Sequence, residues 1–207
     1  MGNRTVITLE GIDGAGTTTQ ADLLVQRIVS SGFTATRTQE PTNGIIGRII
    51  RSNLRQEEAA RFIDPASLAL LFAADRLEHL NRVIKPALQR GDFIVSDRSV
   101  ISSLAYQGME LDESWVASIN AQAPLPRYFI WIDVPAAISM ERIDQRNETK
   151  ERYEKLDLLE KLAARYKSLS EQNLENVIIL RIDGTQSVEA VSEAIWNGLK
   201  DAGCFDN

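Results

Sequence analysis

Residues 5–20 read TVITLEGIDGAGTTTQ, and this stretch predicts a β-strand, a glycine-rich turn and the first turns of an α-helix in direct succession. The strand is Thr5–Glu10, where β-branched and apolar residues predominate. The helix continues through the apolar pattern LLVQRIV at residues 23–29. A strand, a turn and a helix in this order indicate the opening unit of an α/β sheet.

The turn reads GIDGAGTT and resembles the phosphate-loop pattern G-x-x-x-x-G-K-[ST]. Backbone N–H groups of such a loop point at phosphate oxygens, and the dipole of the following helix favours negative charge. The predicted binding residues for a nucleotide phosphate are Gly11, Ile12, Asp13, Gly14, Ala15, Gly16, Thr17 and Thr18. The hydroxyl of Thr18 is also the predicted ligand of a magnesium ion.

Thr17 stands where the phosphate-loop pattern has lysine. That lysine is the point charge that reaches the β- and γ-phosphates, so its absence removes one stabiliser of the transferring phosphoryl group. A glycine turn with a purely structural role therefore stays open as an alternative for this segment taken alone.

Four further strands are predicted downstream, each separated from the next by a segment long enough for a helix. They are Thr34–Thr38, Phe93–Ser96, Tyr128–Asp133 and Val177–Ile182. Alternating strands and helices predict an α/β fold with a five-stranded parallel sheet and helices on both faces. We find no internal repeat or linker, so residues 1–207 are expected to form one domain.

The net charge, the apolar stretches and the cysteine content of the chain exclude several kinds of binding partner and location. The net charge of −6 argues against broad binding to a nucleic-acid backbone. No stretch near 18 residues is free of charge, and the first residues lack the pattern of a secretory signal, so we expect no membrane span and a cytoplasmic location. The single cysteine, Cys204, is interpreted as a bystander without a disulfide or a metal cluster.

The strand FIVSDRS places Asp97 and Arg98 where parallel strands end. Ligands of α/β proteins bind at this edge of the sheet. We predict that both residues are catalytic and that Asp97 holds the magnesium shell, directly or through water. An Asp–Arg surface pair that caps the next helix is the alternative.

Several blocks of the chain together resemble thymidylate kinases. They are TLEGIDGAGTTTQ, TQEPTNGIIGRIIR, LLFAADRLEHL, VSDRSVISSLAYQG, IDVPAAISMERI, ERYE and IDGTQSVEAV, and they span roughly Thr5 to Ile195 in family order. The resemblance implies a P-loop kinase fold and transfer of the γ-phosphoryl group of ATP to dTMP, which gives dTDP for dTTP synthesis. It also implies a magnesium ion and a homodimer.

The same resemblance implies an acceptor site for dTMP. Phe72 and Arg76 are four residues apart, which puts them on one helix face. Phe72 is expected to stack on thymine and Arg76 to donate to its carbonyl edge; a buried phenylalanine beside a surface arginine is the alternative. The other residues implied for dTMP are Asp13 at the sugar or phosphates, Glu40 and Pro41 at the pocket wall, Arg98 at the phosphate, Ser103 at the base and Tyr106 at the 2′ position. Any of these contacts is alternatively packing, Tyr106 above all.

Two further residues depart from the family pattern. Gln39 replaces the arginine common before Glu-Pro, which affects one contact to the acceptor phosphate. Ser99 replaces the usual aromatic residue after Asp-Arg. His79, the sole histidine, is expected to lie on a helix surface and is given no catalytic role.

A lid is predicted at about residues 142–154. Arg142 and Arg146 are four apart near a helix end, so both are expected to project toward the phosphates, and Arg152 follows in ERYE. Arginines from a mobile element stabilise a transferring phosphoryl group, so all three are predicted to be catalytic and to compensate for Thr17. A solvated, charged helix junction is the alternative.

Two rival functions stay open at this point. Thr17 and Gln39 together fit a nucleotide-binding pseudokinase or regulatory module, and the loop and lid also fit a kinase for another small phosphate acceptor. A GTPase is disfavoured because the sequence shows no NKxD-like motif for reading guanine.

Overall fold

The computed structural model describes residues 5–57, 62–146 and 151–206. Five strands form one parallel sheet in the order β2-β3-β1-β4-β5. They are β1 (Val6–Glu10), β2 (Ala35–Gln39), β3 (Phe93–Asp97), β4 (Tyr128–Asp133) and β5 (Ile178–Asp183). The predicted five-stranded parallel sheet is confirmed, with strand ends displaced by one residue at most.

The α-helices occupy the connections between the strands. They are α1 (Thr17–Ser30), α2 (Ile45–Leu54), α3 (Pro65–His79), α4 (Lys85–Arg90), α5 (Val100–Tyr106), α6 (Glu113–Ile119), α7 (Ala136–Asp144), α8 (Leu156–Ser170) and α9 (Val188–Asp201). A π-helical turn, Leu80–Ile84, joins α3 to α4, and a 3₁₀ turn, Gln107–Met109, follows α5.

The central strands are covered on both faces. All five residues of β3 are buried, as are the first five of β4. Since successive side chains of a strand point to opposite faces, complete burial requires helices on each side of the sheet. Helices α1 and α9 pack together on the sheet, while α8 contacts both β4 and α5.

The core draws on the strands and on the apolar faces of the covering helices. Ile7, Leu9, Phe129 and Ile130 are fully buried in the sheet, and Tyr166 of α8 is fully buried beside them in the same cluster. Within the described ranges, no helix is long and apolar enough to cross a membrane.

The register brings the functional ends of the strands together. Asp97 of β3 pairs with Leu9 of β1 on one side and with Gln39 of β2 on the other. The loops that follow these three strands therefore meet at one edge of the sheet.

Candidate active site

The phosphate loop joins β1 to α1 in a conformation that depends on glycine. Gly16 has a φ of 91° where α1 begins, and the N–H of Ala15 donates to the carbonyl of Ile12 at 3.0 Å. Gly14 has a φ of 85°, and a Cβ there would lie 2.6 Å from the carbonyl oxygen of Ser139 in α7. The loop can therefore curl and lie against α7 only without side chains at these positions.

A cavity of about 340 Å³ opens in front of the loop. Its lining consists of Ile12, Asp13, Gly14, Gly16, Thr17, Thr18, Thr19, Asp97, Arg98 and Arg146. Most of the predicted phosphate-binding residues thus face one space, together with Asp97, which ends β3, and Arg98, which follows it. We refer to it as the loop cavity.

Thr18 and Asp97 form a hydrogen-bonded pair at the edge of this cavity. The Thr18 hydroxyl donates to Asp97 Oδ2 at 2.6 Å, and Arg37 Nη2 lies 3.5 Å from the same oxygen. The other oxygen, Asp97 Oδ1, is buried and has no hydrogen-bond partner within the described part of the chain. A buried, unpartnered carboxylate oxygen beside a threonine hydroxyl fits a hard cation such as Mg²⁺.

Arg98 ties the end of β3 to the phosphate loop. Its backbone has a φ of 72°, a left-handed conformation that costs a residue other than glycine about 1 kcal/mol or more. Its guanidinium donates to Asp13 Oδ1 at 2.5 Å and to the Gly11 carbonyl at 3.1 Å, and it lies 5.0 Å above the Tyr106 ring. The strained backbone thus aims a cation at the loop rather than at solvent.

A second cavity, of about 280 Å³, adjoins the first and is called the acceptor cavity below. Its lining consists of Asp13, Thr18, Gln39, Glu40, Pro41, Arg51, Leu54, Phe72, Arg76, Arg98, Ser99, Ser102, Ser103, Tyr106, Gln107, Glu151 and Tyr153. Every residue predicted for the dTMP site lines it. The two cavities share Asp13, Thr18 and Arg98, so these residues mark their junction.

Arg76 is buried in the wall of the acceptor cavity, with 4% of its surface exposed, and is not a surface arginine. Its Nε donates to Glu40 Oε2 at 2.7 Å, and Nη2 donates to Ser103 Oγ at 3.0 Å and to the Ser99 carbonyl at 3.3 Å. Nη1 donates to the side-chain oxygen of Asn120. Four of the five N–H groups of the guanidinium are thus engaged, and the second N–H of Nη1 is left for a ligand.

The expectation that His79 lies on a helix surface was wrong. His79 is 2% exposed, with Nδ1 at 2.9 Å from Glu40 Oε1 and Nε2 at 2.5 Å from Thr38 Oγ1. Burial acts to raise the pKa of Glu40, but Arg76 and His79 hold it below its ordinary value. The histidine faces inward because it hydrogen-bonds to Thr38 of β2 and to Glu40 after that strand, and spacing along α3 does not reveal these partners.

Tyr106 lines the acceptor cavity beside Asp13 at the junction. Its ring is buried, and its hydroxyl donates to Asp13 Oδ2 at 3.1 Å. The ring also meets Tyr153 edge to face, with centroids 5.1 Å apart. Tyr106 therefore orients Asp13 in addition to lining the acceptor cavity.

The three predicted lid arginines occupy different places. Arg146 lines the loop cavity, as predicted. Arg142 donates to the Gly184 carbonyl at 2.9 Å, and Arg152 donates to Glu110 Oε2 at 3.0 Å. Neither of these two is among the described residues that line the loop cavity. Residues 147–150 of the predicted lid lie outside the described ranges.

The two other departures from the family pattern also have clear positions. Gln39 lines the acceptor cavity, where Arg51 supplies a cation from α2. Ser99 caps α5 by accepting from the N–H of Ile101 at 3.2 Å, and its hydroxyl donates to Glu10 Oε1 at 2.6 Å. A serine thus makes two polar contacts at a position where an aromatic residue would make none of them.

Glu10 and Arg51 were missed by the sequence reasoning. Arg51 donates to the Pro41 carbonyl at 2.6 Å and lines the acceptor cavity. Glu10 is completely buried at the end of β1, directly before the phosphate loop. One signal was present in the sequence for Glu10, namely a carboxylate that ends an otherwise apolar strand.

Comparison with known proteins identifies the family of this chain. A family model described as thymidylate kinase matches residues 9–195. A "Probable thymidylate kinase" of Pyrococcus abyssi is 40% identical over 195 residues, which cover 91% of this chain and 92% of the relative.

Two more relatives carry the same printed name. The protein of Pyrococcus horikoshii is 37% identical and covers 89% of this chain and 91% of its own length. The protein of Methanococcus aeolicus is 36% identical and covers 94% of this chain and 95% of its own length. Because these matches extend over most of the chain and include the phosphate loop and the acceptor cavity, the protein belongs to the thymidylate kinase family.

Proposed function

We propose that this protein transfers the γ-phosphoryl group of ATP to dTMP and so produces dTDP and ADP. One observation carries the proposal. The loop cavity and the acceptor cavity meet at Asp13, Thr18 and Arg98. A phosphate of each nucleotide can therefore reach the same guanidinium, as an in-line transfer between them requires.

Phosphate binding and charge neutralisation fall to the phosphate loop and the arginines. Loop N–H groups hold the ATP phosphates, while Arg98 and Arg51 bind the acceptor phosphate in place of the arginine that Gln39 replaces. Arg146 approaches the γ-phosphate from the loop cavity. An oxygen of dTMP attacks the γ-phosphorus, the bond to the β-phosphate oxygen breaks, and ADP leaves with that oxygen.

Magnesium would be held by Thr18 and Asp97, and it would supply neutralisation of charge on the ATP phosphates. The unpartnered Asp97 Oδ1 supports this assignment. Asp97 holds the Thr18 hydroxyl at the edge of the loop cavity by accepting its hydrogen bond, and Arg37 pairs with the same carboxylate oxygen, which leaves the Thr18 oxygen lone pairs for the ion.

Thymine is read by Phe72 and Arg76. Phe72 offers a half-buried ring in the wall of the cavity, and the remaining N–H of Arg76 Nη1 suits an acceptor such as the thymine O4. Cytosine presents an amino donor at that position, so two donors would face each other. The rigid setting of Arg76 in its four hydrogen bonds prevents it from turning away.

We also infer that residues 142–154 act as a lid on one kinase domain and that the chain forms a homodimer, as the resemblance to the family implies. A subunit contact is supported by exposed apolar side chains on two helices that lie side by side. They are Ile45 and Ile49 on α2 and Leu70 on α3. Light scattering should give twice the mass of one chain.

The test of function is a coupled ADP-release assay with dTMP, dUMP, dCMP, dGMP and AMP as acceptors. We expect dTMP to exceed dUMP in kcat/KM by roughly tenfold or more, because dUMP lacks one methyl group, and to exceed dCMP by roughly 10² or more. A different preferred acceptor would point to a kinase of another substrate. Undetectable transfer to all five would point to the pseudokinase, which the family membership does not favour.

Two variants separate base recognition from ATP binding. Phe72→Leu should lower kcat/KM for dTMP and leave ATP affinity in calorimetry unchanged, with little loss of stability. Arg76→Ala should weaken dTMP binding about tenfold and also lower the Tm, because Glu40 loses a buried partner. Equal losses for ATP and dTMP in Phe72→Leu would contradict the assignment.

A further inference from the structure

Glu10 is a completely buried carboxylate held by hydroxyl groups. Ser99 Oγ lies 2.6 Å from Oε1, and Ser102 Oγ and Tyr166 OH lie 2.6 Å and 3.2 Å from Oε2. The charged and titratable groups that face it are Arg98 and Tyr166, within the described part of the chain. A buried carboxylate without a direct cation is costly, so its retention calls for an explanation.

Two of these hydroxyl groups also contact Arg98. Arg98 Nη1 lies 3.3 Å from Ser102 Oγ and 3.4 Å from Tyr166 OH, and the two hydroxyl oxygens are 2.9 Å apart. The same Nη1 also donates to the Gly11 carbonyl at 3.1 Å, and Nη2 donates to Asp13 Oδ1 at 2.5 Å, so the guanidinium joins the hydroxyl groups to the phosphate loop. Glu10 is thus linked to the junction of the two cavities through one layer of hydroxyl groups.

The positions of the protons follow from these contacts. An ionised carboxylate only accepts, so Ser102 donates its proton to Glu10, and Tyr166 donates to Glu10 or to Ser102. Both hydroxyl oxygens then present lone pairs to Nη1 of Arg98, whose two N–H groups they share with the Gly11 carbonyl. A protonated Glu10 would donate to one of these oxygens and compete with Arg98 for it.

We propose that Glu10 is a positioning residue for phosphoryl transfer, because its ionised carboxylate turns the Ser102 and Tyr166 hydroxyls so that their oxygens hold Arg98 at the junction of the two cavities. The inference rests on the proposed function, in which Arg98 binds the acceptor phosphate. Burial raises the pKa of Glu10 to about 7, although the hydrogen bonds from Ser102 and Ser99 oppose this rise. Arg98 is therefore expected to lose its alignment as the pH falls below about 7.

The first experiment compares the pH dependence of kcat/KM for dTMP in the wild-type protein and in Glu10→Gln. The phosphate of dTMP titrates near pH 6 in both proteins. The wild-type protein should show an additional loss below about pH 7 that is missing in Glu10→Gln. At pH 8 the variant should be about tenfold slower, with unchanged ATP affinity, since its amide orients only part of the hydroxyl layer. Identical profile shapes would overturn the proposal.

The second experiment asks whether Glu10 acts through the hydroxyl layer. Tyr166→Phe should also lower kcat/KM for dTMP, and the double variant with Glu10→Gln should be little worse than the more damaged single variant. Tyr128→Phe is the matched control, because its hydroxyl binds the Ala202 carbonyl at 3.3 Å at the opposite edge of the sheet. Multiplied losses in the double variant would show that Glu10 and Tyr166 act independently.

Failure of this inference can be told apart from failure of the proposed function. If the wild-type protein binds dTMP but transfers nothing to it, the proposed function is wrong, and calorimetry of dTMP binding at pH 6 and pH 8 still tests whether Glu10 holds Arg98 in place for the dTMP phosphate. The proposal expects the pH dependence of that affinity to be reduced in Glu10→Gln. Transfer by the wild-type protein with no change in rate, profile or affinity in the variant would reject Glu10 alone.

Discussion

The positive charge that Thr17 does not supply at the phosphate loop is available from Arg146. Thr17 is buried at the first position of α1 and carries no charge. Arg146 lines the same cavity, and its ion pair with Glu154 is 3.7 Å long and half exposed on the arginine side. A separation of 3.7 Å is too long for a hydrogen bond, so Glu154 holds Arg146 only loosely and leaves it able to turn toward a phosphate.

Replacement of Arg146 by alanine should therefore lower kcat about 10²- to 10³-fold and leave KM for ATP nearly unchanged, because the contact forms mainly in the reacting complex. Steady-state kinetics with varied ATP would measure this. Arg90→Ala, at the exposed end of α4, is the matched control. A loss of ATP affinity with normal kcat would place Arg146 in ground-state binding instead.

Restoring the lysine by Thr17→Lys tests the same idea from the other side. If Arg146 supplies the cation at the γ-phosphate, as proposed, a second cation should raise kcat by less than about tenfold, or roughly 1.4 kcal/mol. Single-turnover rates at saturating ATP would give the change in the chemical step. A much larger increase in kcat, from almost no activity in the natural protein, would show that the natural phosphate loop does not support phosphoryl transfer.

Glu10 should also affect stability in a way that depends on pH. Its pKa rises from an ordinary 4.5 to about 7 in the folded protein. The folded state therefore holds a proton that the unfolded chain has released, and roughly 3 kcal/mol of stability is lost between pH 4.5 and 7. The neutral amide of Glu10→Gln does not titrate, so the variant does not lose this stability. The Tm of the variant minus the Tm of the wild-type protein should therefore increase from pH 5 to pH 8. A constant difference in Tm would contradict the raised pKa.

Among the structural elements, α2 packs closely at Gly47 against residues 40–44, the loop between β2 and α2, which is called the acceptor loop below. A Cβ at Gly47 would lie 1.9 Å from the carbonyl oxygen of Thr42, directly after Glu40 and Pro41. Such contact with rigid backbone cannot be relieved by a rotamer change. The helix and the loop must separate if this residue gains a side chain.

Gly47→Ala should accordingly weaken dTMP binding and lower the Tm, although alanine is the better helix former. Gly198→Ala in α9 is the matched control, because its Cβ would meet only the flexible Leu180 side chain at 3.3 Å. Calorimetry with dTMP and thermal unfolding of both variants would check this. Normal dTMP affinity in Gly47→Ala would show that the loop tolerates displacement.

At the scale of the whole molecule, the junction of the two cavities predicts how ligands compete. A molecule that joins adenosine to thymidine through five phosphates should span the loop cavity and the acceptor cavity at once. It should inhibit competitively against both ATP and dTMP, while a linked molecule with two adenosines should compete well with ATP only. Competition of the thymidine compound with just one substrate would mean that the cavities are not used together.

The fold was predictable because its signals are local. A run of β-branched and apolar residues predicts each strand, and glycines at fixed spacing predict the phosphate loop. The predicted strand Tyr128–Asp133 is reproduced without change, and the others shift by one residue at their ends. Asp97 and Arg98 were also visible, because they directly follow such a strand.

The sequence by itself thus determined the family, the parallel sheet and part of the lining of the two cavities, since these follow from patterns among neighbouring residues. Only the tertiary structure decided the partners of His79, Arg152 and Glu10. Glu10 meets Tyr166 from 156 positions away, and Arg152 meets Glu110 from 42 positions away. The direction in which a polar side chain points depends on packing between distant segments, and no local spacing records it.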